Sequence, residues 1–354
     1  MDKFVIFAVA GSGKTTSIIN SIQDNKRTAI ITYTNANIAN IRAKLIDHHG
    51  HFPSNVTLFP FFTFLYNFCL KPYLYDRLGV VGINFKQPTN YYIPASSDSH
   101  YIDPYKMVYS SRITKLIGRY NLGDLVVKRV EKYFDSICID EIQDISGRDF
   151  DLLGYFGRCN RDLLLVGDFY QHTFDTSRDG NYNVSLFDNF DKYRKRIFQY
   201  GFQEHPLRLI KSHRCSHNVC ELISKRLGIS IDSGRHDNTA IEYVESQEFA
   251  DRIFNNDSII KLFYSQHSQY SCHSNNWGAC KGEDLHHDIC VVLNKTCGKK
   301  WIENTLHEIA PSTRNKLYVA LTRARGNVYV LSEHLFYKFK TRKSRNPSEG
   351  LPGR

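Results

Sequence analysis

The chain has 354 residues, of which 42% are hydrophobic and 23% charged, and its formal net charge is +10. This length allows two or three domains with sizeable cores. No apolar run reaches the roughly 20 residues of a membrane span, which excludes a membrane protein, and no leader-like segment precedes the first apolar run. We therefore expect a cytoplasmic protein with no membrane partner. Its basic charge favours a polyanion such as nucleic acid as a partner.

Short apolar runs alternate with stretches of helical spacing in the two outer portions of the chain. The first run, residues 4–7, ends in a glycine-rich turn, and helical spacing follows over residues 14–23. Further strands are predicted at 28–32, 136–139, 163–166, 259–263, 289–293 and 328–331, and a further helix at 35–45. Strands separated by helices indicate parallel βαβ units. The predicted fold class is therefore α/β with parallel sheets.

Residues 71–130 break this rhythm. Pro, Tyr, Asn and Ser dominate up to residue 103, and helices are predicted over 107–120 and 124–133. We interpret this segment as a small, mainly helical insertion. Residues 338–354 carry Lys and Arg followed by Pro and Gly, which predicts a basic tail.

The nine cysteines include no pair with two residues between them, and several lie inside apolar runs. This pattern predicts reduced, buried thiols. The stretch from Cys272 to Cys290 also contains His273, His286 and His287, so a zinc site is an alternative, although the spacing is irregular for one.

A glycine-rich turn from Ala8 to Thr15 follows the first predicted strand and opens the first predicted helix. Glycines permit the backbone angles that turn N–H groups towards a phosphate chain. Lys14 can reach the β- and γ-phosphates, and Thr15 can offer a hydroxyl to Mg²⁺. The predicted cofactors are thus ATP and Mg²⁺. The residues of this turn predicted to hold the nucleotide are Ala10, Gly11, Ser12, Gly13, Lys14, Thr15 and Thr16.

Two acidic residues, Asp140 and Glu141, follow the apolar run at 136–139. Acids at the carboxyl end of a buried parallel strand lie at the ligand-binding edge of the sheet. Asp140 can hold Mg²⁺, and Glu141 can orient and deprotonate an attacking water. A solvated acidic turn is the alternative, and the phosphate-binding turn upstream argues against it.

The string Asp-Glu-Ile-Gln-Asp at 140–144 resembles motif II of the UvrD/Rep-type superfamily 1 DNA helicases. Stretches similar to other motifs of that family occur in the family's order before and after this string, at 32–37, 63–64, 166–171, 212–214, 281–284 and 318–325. The resemblance implies two RecA-like P-loop NTPase domains. The first would comprise 1–70 and 131–205, with 71–130 inserted as a 1B-like subdomain, and the second 206–337.

The resemblance also implies roles for residues at matching positions. Gln171 would sense the γ-phosphate, and Arg214 and Arg323 would act as arginine fingers. A guanidinium suits this role because it stays charged and can bridge transferring oxygens. Structural salt bridges are the alternative for both arginines.

Around the nucleoside, His213 stands where the family stacks a tyrosine on adenine. Asp284, preceded by Gly282, aligns with the glutamate that contacts ribose, and Glu283 competes for that role.

For single-stranded DNA, the resemblance implies base stacking on Tyr33, Phe64 and Phe174, and phosphate contacts from Thr34, Asn35 and Thr63. Phe64 lies in a run so apolar that core packing is an equal alternative.

Two departures predict a minimal form of this family. No glutamine motif precedes the phosphate-binding turn, and the stretch between Arg214 and Lys281 is too short for the family's 2B subdomain. The implied function is an ATP-dependent DNA helicase or translocase with 3′→5′ polarity. The alternatives are a nucleotide-responsive regulatory ATPase that partners a nuclease or another protein, and an RNA helicase.

Overall fold

The computed structural model describes residues 1–88, 92–177, 180–283 and 286–341. The chain divides into two compact units, Met1–His213 and Arg214–Arg354. Each unit is built around its own parallel sheet.

The first unit contains strands that carry the candidate phosphate-binding turn and the two acids. Its strands are β1 (Lys3–Phe7), β2 (Thr28–Thr32), β3 (Val56–Pro60), β4 (Gly82–Asn84), β5 (Met107–Tyr109), β6 (Ser136–Ile139), β7 (Asp162–Gly167), β8 (Gln203–Glu204) and β9 (Lys211–Ser212). The main sheet has the order β3-β2-β6-β7-β1-β8, and its strand pairs are parallel. The neighbouring side chains Val5 and Ile6 enter different apolar clusters, which shows that both faces of the sheet are covered.

The helices of this unit are α1 (Lys14–Asn20), α2 (Asn35–His49), α3 (Phe61–Thr63), α4 (Lys71–Leu78), α5 (Ile113–Arg119), α6 (Gly123–Tyr133), α7 (Asp151–Phe156) and α8 (Phe190–Gln199). A π-helical segment, Phe64–Leu70, joins α3 to α4. Helix α2 begins where the Thr34 side chain accepts a hydrogen bond from the backbone N–H of Asn37 and ends at Gly50, which has a φ of 75°. Thr is common at the start of a helix because its side chain satisfies a backbone N–H that has no partner in the helix. Gly is common at the end because it tolerates positive φ.

The predicted inserted segment is helical only in part. Residues 107–109, which helical spacing assigned to a helix, form the strand β5, because they pair in parallel with β4. The helix that follows, α5, begins at Ile113. The prediction of a helix over 107–120 was therefore wrong at its start, whereas the helix predicted over 124–133 is confirmed as α6.

The second unit contains β10 (Asp232–Ser233), β11 (Ile241–Val244), β12 (Ile260–Phe263), β13 (Ser274–Asn276), β14 (Ile289–Leu293) and β15 (Val328–Ser332). Its helices are α9 (His217–Leu227), α10 (Gln247–Phe254), α11 (Lys295–Ile302) and α12 (Pro311–Leu321). The sheet has the order β11-β15-β14-β12-β13, with parallel pairs. Every residue of β14 is buried, as expected for a central parallel strand.

The strands predicted from apolar runs are confirmed to within a residue at each end, and so is the α/β class with parallel sheets. Helix α1 is shorter than predicted, since it ends at Asn20. Eight of the nine cysteines are buried and Cys272 is partly so, in agreement with buried thiols. The described residues contain no cluster of His, Cys, Asp and Glu able to hold a metal ion. Among the described helices, none combines the length and the apolar composition of a membrane span.

Candidate nucleotide-binding and nucleic-acid-binding sites

The glycine-rich turn follows β1 directly and leads into α1 at Lys14. Gly11 and Gly13 have φ values of 71° and 89°, a region that side chains with a Cβ rarely adopt. Ser12 is 4% exposed, and its hydroxyl donates to the carbonyl oxygen of Val9 over 2.7 Å. This internal hydrogen bond stabilises the conformation of the turn. Thr16, in the first turn of α1, is exposed.

Backbone hydrogen bonds fix this turn to its neighbours in the first unit. Ala8 N–H donates to Gly167 O over 2.8 Å, which ties the end of β1 to the end of β7. His213 N–H donates to Gly11 O over 2.9 Å, and the His213 ring is exposed. The backbone of His213 therefore lies beside the glycine-rich turn.

Asp140 and Glu141 follow β6, two strands away from β1 in the sheet. Asp140 is 6% exposed, and its Oδ1 accepts from the backbone N–H of Glu141 over 3.0 Å. Glu141 has a φ of 55°, so the chain turns sharply at this residue. A left-handed backbone at a non-glycine residue is strained and occurs often at functional sites.

Gln143, to which the motif comparison assigned no role, connects the two stretches that resemble motifs II and III. Its side-chain amide donates to the Glu141 carboxylate, and its side-chain oxygen accepts from the backbone N–H of Asp168 over 3.0 Å. It is fully buried. The end of β7 needs glycine here, because a Cβ on Gly167 would lie 2.5 Å from the Gln143 oxygen and 2.6 Å from Ile142 Cγ1. The glutamine in the motif II string was the signal that could have pointed to it.

Gln171 ends the short 3₁₀ turn Phe169–Gln171 that follows β7, and it is 4% exposed. Because β6, β7 and β1 are adjacent and parallel, their carboxyl ends share one edge of the sheet. The first unit thus collects at one edge a lysine, a threonine hydroxyl, two carboxylates and an amide. These residues are Lys14, Thr15, Asp140, Glu141 and Gln171. Hydroxyl and carboxylate oxygens are the ligands that Mg²⁺ prefers, so Thr15 and Asp140 fit that ion.

The two candidate arginine fingers both contact the end of α12 in the second unit. Arg214 is partly buried, and one of its Nη atoms donates to Thr322 O over 3.1 Å. Arg323 is 1% exposed; its Nε donates to Val319 O and one Nη to Glu283 O, each over 3.1 Å. Hydrogen bonds to main-chain oxygens orient a guanidinium.

Glu283 is held inside the second unit. Its Oε1 accepts from the Asn275 side-chain amide over 2.8 Å, and its Oε2 lies 2.8 Å from His286 Nε2. A ribose would have to compete with both neighbours for this carboxylate. Gly282, with a φ of 86°, is exposed, and Asp284 lies outside the described residues.

Of the aromatic residues predicted to stack on DNA bases, Tyr33 and Phe174 lie side by side, with ring centroids 4.8 Å apart. Phe62 lies 5.8 Å from Tyr33, and Phe85 lies 5.3 Å from Phe62. These four rings, Tyr33, Phe62, Phe85 and Phe174, are called the aromatic patch below. Phe85 is 66% exposed, and the other three are partly exposed.

Phe64 does not belong to the aromatic patch. It is 1% exposed and stacks on Phe68 with a centroid distance of 5.1 Å inside the core of the first unit. The alternative of core packing accounts for this residue, and the expectation that it stacks on a base is corrected here. Phe62 takes its place at the surface. Helical geometry separates residues two apart by about 200° around the axis, and this could have distinguished them.

The polar residues predicted to contact phosphates lie near the patch. Thr34 and Asn35 are exposed at the start of α2, and Thr63 is partly exposed at the end of α3. The Thr34 oxygen accepts from Asn37 N–H over 3.0 Å, so its hydroxyl proton remains available to a phosphate.

No protein-family model and no curated protein sequence matches the chain. The chain is similar to the solved structure of arterivirus nonstructural protein 10, a helicase, in a complex with DNA: identity is 13%, the TM-score 0.50, and the match covers 96% of this chain and 63% of that one. It is also similar to the helicase of PRRSV, with 14% identity, a TM-score of 0.47, and coverage of 94% and 53% respectively. The chain thus spans about six-tenths of the length of the first of these structures and about half of the second.

At these identities the likeness shows the fold. Each of the two units is built on a parallel sheet, as RecA-like domains are, and the chain shares its fold with that solved structure. This likeness does not distinguish the UvrD/Rep type from other helicases.

Proposed function

We propose that this chain is an ATP-driven DNA helicase or translocase of the UvrD/Rep type, which hydrolyses ATP while it grips single-stranded DNA and moves 3′→5′. The observation that carries the proposal is the gathering of Lys14, Glu141 and Gln171 at the carboxyl edge of one parallel sheet. The helicase fold supports the same conclusion.

At this edge each side chain has a distinct task. Backbone N–H groups of the glycine-rich turn surround the phosphates, and Lys14 neutralises the β- and γ-phosphates. Thr15 and Asp140 would hold Mg²⁺, which would offset charge on the phosphate oxygens. Glu141 orients the attacking water and accepts its proton. The hydrogen bond from Gln143 fixes the Glu141 carboxylate for this step.

Arg214 and Arg323 supply positive charge to the transferring phosphoryl group in this proposal. Such a contact is worth roughly 10³–10⁵ in rate in related phosphoryl-transfer systems. His213 stacks on the base, and the ribose is contacted by Asp284.

The link to DNA runs through the loop after β7. Gln171 lies just after the carboxyl end of β7, and Phe174, three residues later, belongs to the aromatic patch. Stacking of bases on aromatic rings tolerates any sequence, as a translocase requires. A movement of Gln171 on ATP hydrolysis would therefore be transmitted to the bound DNA through a loop of only three residues.

The experiment that tests this proposal measures steady-state ATP hydrolysis with and without a single-stranded oligonucleotide. We expect the oligonucleotide to raise the rate. Lys14→Ala should abolish hydrolysis and weaken ATP binding, and Glu141→Gln should abolish hydrolysis while ATP still binds. Lys44→Ala, at an exposed position of α2, is the matched control and should behave as wild type. A hydrolysis rate indifferent to the oligonucleotide would overturn the helicase proposal.

Strand displacement on 3′- and 5′-tailed duplexes then tests polarity. Displacement only of the 3′-tailed substrate supports 3′→5′ movement. Stimulated hydrolysis without any displacement would favour the regulatory ATPase, and a larger stimulation by a matched RNA strand would favour an RNA helicase.

A further inference from the structure

Asp149 is a fully buried carboxyl group outside the site described above. It lies in the 3₁₀ turn Gly147–Phe150, which follows the two acids, and it is 0% exposed. Its Oδ1 accepts from the Thr114 hydroxyl over 2.7 Å. Thr114 belongs to α5, in the segment predicted to be inserted. The contact thus joins two segments that are distant in sequence.

Two further hydrogen bonds join the same region to the loop after Gln171. Ser177 Oγ donates to Ser111 O over 2.7 Å, and Ser146 N–H donates to Thr176 Oγ1 over 3.0 Å. Each of the six residues in these contacts is at most 6% exposed. We call them the three-way junction: Ser111, Thr114, Ser146, Asp149, Thr176 and Ser177.

The backbones at the junction approach each other closely. Gly147 has a φ of 55°, and a Cβ there would collide with the carbonyl oxygen of Ser177. The turn that contains Gly147, after the two acids, is therefore in direct contact with the loop that contains Ser177, after Gln171. A shift of either one must move the other, because packed interiors do not compress.

A carboxyl group is a costly way to fill such a place. Burial raises the pKa of Asp149 to about 7, against the opposing effects of the Thr114 and Thr176 hydroxyls, and the nearby charge of Asp151 raises it further. An apolar residue would pack there at lower cost. Buried polar groups of this kind are retained in some proteins because they specify one arrangement of the segments that they join.

We propose that Asp149 is a positioning residue. It ties the turn at 147–150 to α5, and the loop carrying Gln171 and Phe174 is hydrogen-bonded beside it to Ser111 and Ser146. The state of the nucleotide at Gln171 is thereby passed both to the aromatic patch and to the inserted segment. This inference rests on the proposed function. Asp149 is fully buried, and in this proposal its effect is exerted through the geometry of residues 171–177.

The test compares Thr114→Val and Asp149→Leu, which remove the hydrogen bond from either side, with Asp149→Asn, which keeps an acceptor. Asp47→Asn, at an exposed position of α2, is the matched control. We expect the first two variants to keep basal hydrolysis and the KM for ATP within about twofold of wild type. The factor by which single-stranded DNA raises their hydrolysis rate should be about tenfold smaller than in wild type. Asp149→Asn should retain most of the stimulation.

Amide hydrogen exchange over residues 171–177 provides a readout that does not require DNA stimulation. We expect faster exchange there in Thr114→Val and Asp149→Leu than in wild type or Asp47→Asn. If Asp149→Leu does not fold, the isosteric Thr114→Val carries the test. Unchanged exchange in a folded Thr114→Val overturns the positioning role. If the wild-type rate ignores DNA while exchange responds as expected, the proposed function fails and the positioning role stands.

Discussion

The side-chain amide of Gln143 donates a hydrogen bond to the carboxylate of Glu141, two residues before it. The side-chain oxygen of Gln143 accepts a hydrogen bond from the backbone N–H of Asp168, which follows β7. One buried amide thus connects the residue proposed to activate water with the strand end that leads to Gln171. The orientation of Glu141 depends on the position of β7.

Replacing Gln143 with alanine should lower kcat for ATP hydrolysis by at least about tenfold, because Glu141 loses its orienting donor. The free energy of unfolding should fall by about 1–3 kcal/mol, because the Asp168 N–H loses its buried acceptor. Single-turnover hydrolysis and urea unfolding measure the two effects. Gln199→Ala, at an exposed position, serves as control. An unchanged kcat in a folded Gln143→Ala protein would contradict the orienting role.

Gly167→Ala should have a similar effect by a steric route. The added Cβ would meet the Gln143 oxygen at 2.5 Å and displace it, so hydrolysis should fall while ATP binding, measured by nucleotide fluorescence, is retained. Gly118→Ala is the control, since its Cβ would meet only the Tyr155 hydroxyl at 3.8 Å. In helix α5 that change should add up to about 1 kcal/mol of stability. Equal hydrolysis by both variants would be evidence against the steric argument.

Phe62 and Phe64 should give opposite phenotypes when each is changed to alanine. Phe62→Ala should weaken binding of single-stranded DNA by about 1–3 kcal/mol, since an aromatic patch ring is lost, and should leave the fold nearly as stable. Phe64→Ala should cost about 3–5 kcal/mol of stability, because it leaves a cavity in the core. Fluorescence anisotropy and thermal unfolding distinguish them. A DNA-binding defect confined to a stable Phe64→Ala protein would reverse the assignment.

Asp149 should make stability depend on pH near neutrality. Its pKa in the folded state is raised to about 7 by burial, whereas an unfolded Asp has a pKa of about 3.9. Between these values the native state binds the extra proton, so the free energy of unfolding should fall as the pH rises from 4 to 7, by at most about 4 kcal/mol. Asp149→Asn should remove this fall. Urea unfolding at several pH values measures it, and parallel curves for the two proteins would refute the effect.

The elements that carry the candidate nucleotide site could be predicted from the sequence, because the patterns that specify them are local. A glycine-rich turn between an apolar run and a helix, and two acids after a buried strand, each occupy a few consecutive residues. The strands β2, β6 and β14 begin and end at the predicted residues, since apolar runs bounded by polar ones specify them directly.

The parts that could not be predicted depend on contacts between distant residues. Met107–Tyr109 form a strand only because Gly82–Asn84 pair with them, and no local pattern indicates that pairing. Phe62 and Phe64 look alike in an aromatic run, and only the helical turn decides which one faces outward. Asp149 is one acidic residue among many until Thr114 is brought to it.

The position of β1 in its sheet has a consequence for synthesis of the chain. Phe4 pairs with Leu164 on one side and with Gln203 on the other, so the strand that bears the glycine-rich turn gains its neighbours only after those residues have left the ribosome. Until then it has two unpaired edges, which are prone to association with other chains. Pairing over such a separation is also slow. A nascent chain can therefore complete the proposed nucleotide site only once nearly the whole first unit has been translated.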